Sequence, residues 1–475
     1  MTEHLSHVGH PRGAPDDAGP GVSSERALSD LGYKQQLRRS LRMRDLVIYG
    51  LVFMAPTAPF AIFGPVFNTS DGMVPLVYVI GLVAMVFTAL SYSQMSRAFP
   101  MAGSVYAYAG RGIAPPAGFM AGWAILLDYL LIPTLLYVTG AAALTAVVPG
   151  VPQWLWVVLF VVVNTAINAF GIETAAWANR LFLYAMLIIL AIFIVLSLVA
   201  ISRGVNGAHW STIPFYNPRV FHVGLLFGAL SVAALSFLGF DAISTLSEEV
   251  RGGTKVVGRA TVLSLVVVAI LFVIQTYLAT LMLPGRTGFA GTTATNNAFY
   301  TVADLVGGHA FKLTVAFTVA ISAALANSLV AQSATSRLLF SMARDGQLPR
   351  FLAHVSPKRQ VPERAVLLVG GISVVLGLVF VGQIQTLSSL VNFGALFSFL
   401  MLHVTVVVYY LAKRHTRQWG IHLAVPVIGF AVIAYVLYNA DAPAKIGGLC
   451  WLALGLIILL VRKVTHRSLA LAQPE

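Results

Sequence analysis

A chain of 475 residues that is 58% hydrophobic and only 10% charged, with a mean hydropathy of +0.83, is far more apolar than a soluble globular domain. Its formal charge of +13 sits beside one cysteine, Cys450, which excludes an intramolecular disulfide framework and a cysteine-cluster metal centre. Apolar runs of about 20 residues, the length that crosses a bilayer, recur along the chain and predict an all-α integral membrane protein.

Residues 1–37 are rich in Gly, Pro, Ser and charge, and are expected to form a disordered cytoplasmic tail. They lack the basic, apolar and small-residue order of a signal peptide. A transmembrane domain is expected over 38–465 and a cytoplasmic C-terminal tail over 466–475. Twelve transmembrane helices are predicted, centred on 45–69, 73–96, 117–146, 153–172, 177–201, 220–247, 258–283, 310–335, 364–382, 387–412, 420–438 and 445–462.

The first span is interrupted by Met54-Ala55-Pro56-Thr57-Ala58-Pro59-Phe60. Proline removes an N–H and clashes with the preceding turn, and broken backbone persists at bilayer depth only where protein or water satisfies it. Span 3 carries Asp128 beside Tyr129, a carboxylate for an ammonium group and an aromatic face for a cation. Asp128 is equally readable as a cap or a partner within the bundle. The sixth span is interrupted by Ser236-Phe237-Leu238-Gly239-Phe240-Asp241, which sets a carboxylate inside the bilayer. An intramembrane carboxylate costs at least about 2.5–3.5 kcal/mol unless paired or hydrated, so it marks a functional site by default. Asp241 is thus a candidate for substrate contact and for coupling, with a purely structural aspartate binding the helix ends as the alternative. A pair of broken spans at corresponding places in two halves points to a secondary transporter's midplane site.

At the cytoplasmic end of span 6, Glu248 and Glu249 with Arg251 and Lys255 read as an inner gate or ion-pair network. The loop from Leu283 to Gly308 is expected to hold a short surface helix near Thr295–Val306 that acts as an external lid. Asn327 and Ser328 in span 8 offer oxygens for sodium, or simply join helices. The basic connection Ser336–Arg364 begins as a helix ending near Gly346, with Arg337, Arg344 and Asp345 bracing it. His403 reads as structural, and Cys450 as a buried, inert thiol.

With the N-terminus inside, 22 Lys and Arg flank the cytoplasmic side of the spans against 5 outside (Arg203, Arg219, Arg286, Lys312 and Lys445), as the positive-inside rule requires. The net charge therefore calls for anionic lipid rather than nucleic acid. The 11 histidines show no metal-ligand spacing, no hydrolase constellation is visible, and no strand-plus-glycine-loop nucleotide motif occurs. No metal, cofactor or enzymatic activity is expected.

The stretches ALSYSQMSRAFPMAGSVYAYAGRGIAPPAGFMAGWAILLDYL (89–130), SFLGFDAISTLSEEVRGGTK (236–255) and SRLLFSMARDGQLPRFLAHVSPK (336–358) resemble the amino acid–polyamine–organocation permeases, and within them the bacterial putrescine-importer and amino-acid-permease group. The resemblance covers about residues 40–465. It implies a five-plus-five inverted repeat with broken helices 1 and 6, spans 11 and 12 outside it, and transport by alternating access. Four departures qualify it. Many amino-acid permeases of this superfamily hold the substrate carboxylate on a Gly-Ser/Thr-Gly turn in span 1, through backbone N–H groups and a half-helix N-terminus. Here the turn reads Thr57-Ala58-Pro59, and Pro59 has no N–H. The putrescine importers carry an aspartate shortly after it, where this chain has Ala61. Some proton-coupled relatives use a lysine in span 5, where this chain has Met186; prolines after the span 6 acids are Gly253 and Gly258.

The expected protein is a permease of the cell inner membrane, with both termini cytoplasmic, that imports a small amine, polyamine or amino acid. It is driven by a proton, ahead of sodium, or by exchange. Substrate contacts are expected from Ala55, Pro56, Thr57, Ala58, Pro59, Phe60, Asp128, Tyr129, Ser236, Phe237, Leu238, Gly239 and Asp241. The alternatives are an amino-acid-selective permease or antiporter, and a ligand sensor of the same fold that moves nothing.

Overall fold

The computed structural model describes residues 28–29, 32, 35–148, 150–253 and 255–464. Of the expected tails 1–37 and 466–475, all but residues 28–29, 32 and 35–37 lie outside these residues. Among the described residues the protein is helical, with one isolated parallel bridge between Leu41 and Val250. Ten helices among the described residues are long and apolar enough to cross a membrane, and the bent pair at the first break makes eleven.

The first span is two helices, α1 (Met43–Met54) and α2 (Ala58–Thr69), bent by 43°. Asp45 starts α1 by accepting the Arg42 backbone N–H (3.0 Å), the N-terminal capping that such a helix needs. Pro59 lies at the first positions of α2, where its fixed φ favours helix and its missing N–H has no helical partner to lose. There follow α3 (Val74–Ala98), the short α4 (Ser104–Gly112), α5 (Pro115–Val147), α6 (Gln153–Phe170) and α7 (Ile172–Ser202). The sixth span is α8 (Val223–Phe237), a turn, and a 3-10 helix over Asp241–Glu249.

Then come α9 (Lys255–Leu281), the short α10 (Thr292–Asn296) and α11 (Ala298–Ile321). A π-helical turn, Ser322–Asn327, leads into α12 (Ser328–Arg344), followed by α13 (Glu363–Val379), α14 (Ile384–Val407), α15 (Val425–Tyr438) and α16 (Ala442–Val464). The expected lid helix is not a separate element. It straddles the end of α10 and the first half of α11, the latter set off from the rest of the span by Gly308, whose φ is 73°.

The packing sets α9 against α3 and α1, α14 against α5, α13 against α6, and α2 against α8. α16 is pinned to the outside of α5 by two tryptophans whose rings stack (4.5 Å between centroids). Each of their indole N–H groups donates to the other's backbone carbonyl, Trp123 to Trp451 at 2.8 Å and Trp451 to Trp123 at 2.7 Å. Cys450 is exposed on α16 rather than buried. The helix is peripheral, and an apolar sequence does not distinguish a face turned to lipid from one turned to protein.

Candidate functional site

The two breaks touch each other. α8 stops at Phe237, Leu238 is extended, and Gly239 takes a φ of 120°. A Cβ on Gly239 would run into the Phe53 ring of α1, so both conformation and space require glycine here. At the first break Ala55 takes a φ of 50°, a left-handed conformation unusual for a residue with a side chain.

Four of the six residues of the break, Ala55–Phe60, have no backbone N–H free for a ligand. Pro56 and Pro59 have none, Ala58 N donates to Ala55 O (2.8 Å), and Phe60 N donates to Thr57 O (3.0 Å). The freed carbonyl of Pro56 is taken from outside the span. Gln275 of α9 donates its Nε2 to Pro56 O (2.8 Å) and to its own helix at Leu271 O (2.9 Å).

Two carboxyl groups occupy the centre. Asp241 is 1% exposed; its Oδ2 accepts the Tyr129 hydroxyl (2.7 Å) and its Oδ1 accepts Gly239 N (3.2 Å). Asp128, one residue before Tyr129 on α5, is 3% exposed and its Oδ1 has no partner. The two carboxyl groups lie within electrostatic reach of each other. Span 8 joins them through Thr335, which donates to the Tyr129 carbonyl (2.5 Å). Span 10 joins through Gly394, which packs on the α5 backbone at Ala124 and Asp128.

The three phenylalanines at the breaks point three ways. Phe60 stacks on Phe299 at the start of α11 (3.9 Å between centroids) and meets Phe193 edge-on. Phe237 packs between Tyr78 and Phe272, away from Asp241's partners, while Ser236 shares a hydrogen bond with the Tyr78 hydroxyl (3.1 Å). Phe240 meets Tyr92 and Phe399, which also touch each other. Leu238 is buried, as is Met186, and Ala61 is half-buried.

Beyond Phe60, the loop before α11 closes over α2. Asn68 donates to Phe289 O (2.9 Å) and accepts from Phe289 N (2.8 Å), and Gly64 leaves room for the Thr295 backbone.

At the opposite, basic end, Glu249 receives a forked contact from Arg337, through Nε to Oε1 and Nη2 to Oε2 (3.1 Å for the latter). Both side chains are essentially buried. Glu248 receives a second fork from Arg344 (2.7 and 3.0 Å) and the Ala102 N–H (2.9 Å). Arg251 does not join them: it is exposed, with its backbone N bonded to Leu41 O (2.8 Å) and its Nε to Arg39 O (3.1 Å). Lys255 is exposed as well. Asp345 accepts the Tyr106 hydroxyl (2.8 Å). A narrow crevice lined by Asp45, Tyr49, Asn168, Asn179 and Ser333 runs beside this end to Arg337.

Asn327 turns its amide nitrogen, not its oxygen, toward span 1, donating to Val52 O (2.9 Å) and Ser322 O (3.1 Å). Ser328 is bonded to Ala324 O (2.6 Å) and Asn164 (2.7 Å). His403 is held between the hydroxyls of Thr88 (3.2 Å) and Ser91 (3.0 Å). Sequence reasoning passed over Gln275, Thr335 and Tyr92. The signal for Gln275 was there: a lone amide in a long apolar span.

Helices of membrane length, two of them unwound and apposed at a buried carboxyl pair, make this a multi-pass membrane permease. The sequence profile of the family described as Amino acid permease matches residues 46–462, and the chain belongs to that family. It is 32% identical over 430 residues to the low-affinity putrescine importer PlaP of Escherichia coli (strain K12), covering 89% of this chain and 93% of that protein. It is 27% identical over 464 residues to the branched-chain amino acid permease BcaP of Bacillus subtilis (strain 168), covering 92% and 95%. It is also 25% identical over 467 residues to the methylthioribose transporter of the same organism, covering 93% and 97%. Members of the family are transporters rather than enzymes.

Proposed function

We propose that the chain is a twelve-span permease of the cell inner membrane that imports a small amine by alternating access, driven by protons or by exchange. The span that brings the count to twelve is α13, ninth in chain order, whose 17 residues reach the lower limit for crossing a bilayer. The five-plus-five repeat is supported by the packing of corresponding spans on each other: 1 on 6, 2 on 7, 3 on 8 and 4 on 9. Both termini are cytoplasmic by the distribution of Lys and Arg.

The observation that carries the substrate class is the buried pair Asp128 and Asp241, with an unpartnered Asp128 oxygen, near a first break in which Pro56 and Pro59 lack N–H groups and those of Ala58 and Phe60 are committed. Two buried carboxyl groups suit an ammonium group better than a carboxylate. Substrate contacts come from the break residues Ala55–Phe60 and Ser236–Asp241 with Asp128 and Tyr129. Asp241 also carries the coupling proton, and Glu248 and Glu249 close the inner end. Putrescine import by one relative supports this reading. Amino-acid transport is the second reading, favoured by the branched-chain relative.

Uptake of labelled putrescine into proteoliposomes under a proton gradient, competed by monoamines and by amino acids, tests the proposal. Amines compete and amino acids do not; the reverse order overturns the amine reading, and absence of any flux favours the sensor. In the same panel, Pro59→Gly restores one N–H to the turn and raises competition by carboxylate-bearing amino acids by about three- to tenfold, the worth of one added hydrogen bond.

A further inference from the structure

We propose that Gln275 of α9 is a specificity-determining residue of this site, with its Oε1 accepting an N–H from the substrate's amine. The inference rests on the substrate site lying at the two breaks, as proposed above. It begins with the direction of the amide. Oxygen and nitrogen of a glutamine are assigned from their neighbours, and here both neighbours are carbonyls, Pro56 O and Leu271 O. Only the nitrogen can face them, so the oxygen is the remaining atom. That Oε1 is buried and has no partner, on a residue with no exposed surface.

A buried acceptor without a donor is costly, and few persist in folded proteins without a ligand, ion or water to complete them. The break beside it supplies little: Pro56 and Pro59 lack N–H groups, and those of Ala58 and Phe60 are committed to Ala55 and Thr57. None of the break's donors bonds Gln275 Oε1, which is left open to a ligand's donor. An amide oxygen is a neutral acceptor, in a half of the site where Ala61 provides no charge. Asp128 and Asp241 then hold the ammonium charge, and Gln275 reads an N–H without demanding a second charge.

The amide has two separable functions. Its nitrogen pins the Pro56 carbonyl, and its oxygen awaits the substrate. Gln275→Met removes both, whereas Gln275→Glu removes the donor and keeps an acceptor of the same reach. The full chain in proteoliposomes is first assayed unsubstituted with putrescine, a monoamine and leucine; this identifies the transported compound and decides the amine reading by itself. The variants are then measured with whichever compound is carried, since each bears an amino group.

The methionine variant is expected to raise KM by about tenfold with kcat within about twofold, while the glutamate variant stays within about threefold of the parent KM. If both variants lower kcat or thermal stability alike and leave KM unchanged, the amide only braces the break and the proposal falls. If the methionine variant is not recovered as a monodisperse protein, Gln275→Leu replaces it. Stabilisation of the detergent-solubilised protein by the same compound then gives the comparison without turnover: loss in the leucine variant and retention in the glutamate variant supports the acceptor role, and equal stabilisation in both overturns it.

Discussion

Asp241→Asn abolishes uptake while leaving insertion and folding intact. The substitution preserves shape: the amide oxygen it introduces would still accept Gly239 N, which braces the turn after α8 at 3.2 Å in the parent. What disappears is the charge that Tyr129 meets at 2.7 Å and the site's capacity to take up a proton. A hydrogen bond to a charged group contributes about 1.5–3 kcal/mol, and about 1.4 kcal/mol is tenfold. Substrate binding alone should therefore weaken by about ten- to a hundredfold, and the response to a proton gradient should vanish. The check is uptake at a series of external pH values in parent and variant, with thermal unfolding of both in detergent. Unaltered pH-dependent flux in the variant removes Asp241 from coupling and leaves it as a brace. Tyr129→Phe separates the two components: the carboxyl group stays, and uptake falls with its pH response retained.

The breaks were legible in the sequence because their causes are local. Two prolines within four residues leave no continuous helix through Pro56–Pro59, and α1 ends at Met54 as that predicts. Gly239 ends α8 for a reason partly local, its positive φ, and partly distant, the Phe53 ring against it. Features that depend on partners far along the chain were harder to see. Arg337 looked like a brace of its own loop; it faces Glu249, 88 residues away, because α12 packs on the 3-10 half of span 6. Arg251, two residues from Glu249, is the natural partner by sequence proximity. The chain turns at Val250 to bridge Leu41 and carries Arg251 outward. Gln275 stands out in sequence as a lone amide in an apolar span, but its partner does not, since nothing local to α9 announces the Pro56 carbonyl. The lid residues 295–306 were recognisable as helix, but Gly308 does not end the helix; it kinks it into the following span.

The second large effect lies at the basic end. Glu249→Gln leaves the Arg337 guanidinium buried beside Ser333, without its counter-charge. Breaking a buried ion pair from one side costs about 3–5 kcal/mol, whereas replacing both partners with apolar groups of similar volume is often neutral or better. The single variant should therefore unfold at a markedly lower temperature, and Glu249→Leu combined with Arg337→Met should recover most of the loss. Transport separates stability from gating. If the pair holds the basic end shut, the stable double variant still transports poorly, because nothing then favours reclosure after each cycle. Accessibility provides the direct reading. With Cys450→Ser as background, Ala176→Cys in the crevice beside Arg337 reports opening of this end by its rate of thiol labelling. Faster labelling in the double variant identifies the pair as a gate. Labelling at the parent rate with normal uptake makes it a structural tie, and closure then falls to Glu248 and Arg344. That second pair is the more exposed, with Arg344 at 11%, so its loss should cost less in stability than the loss of Glu249.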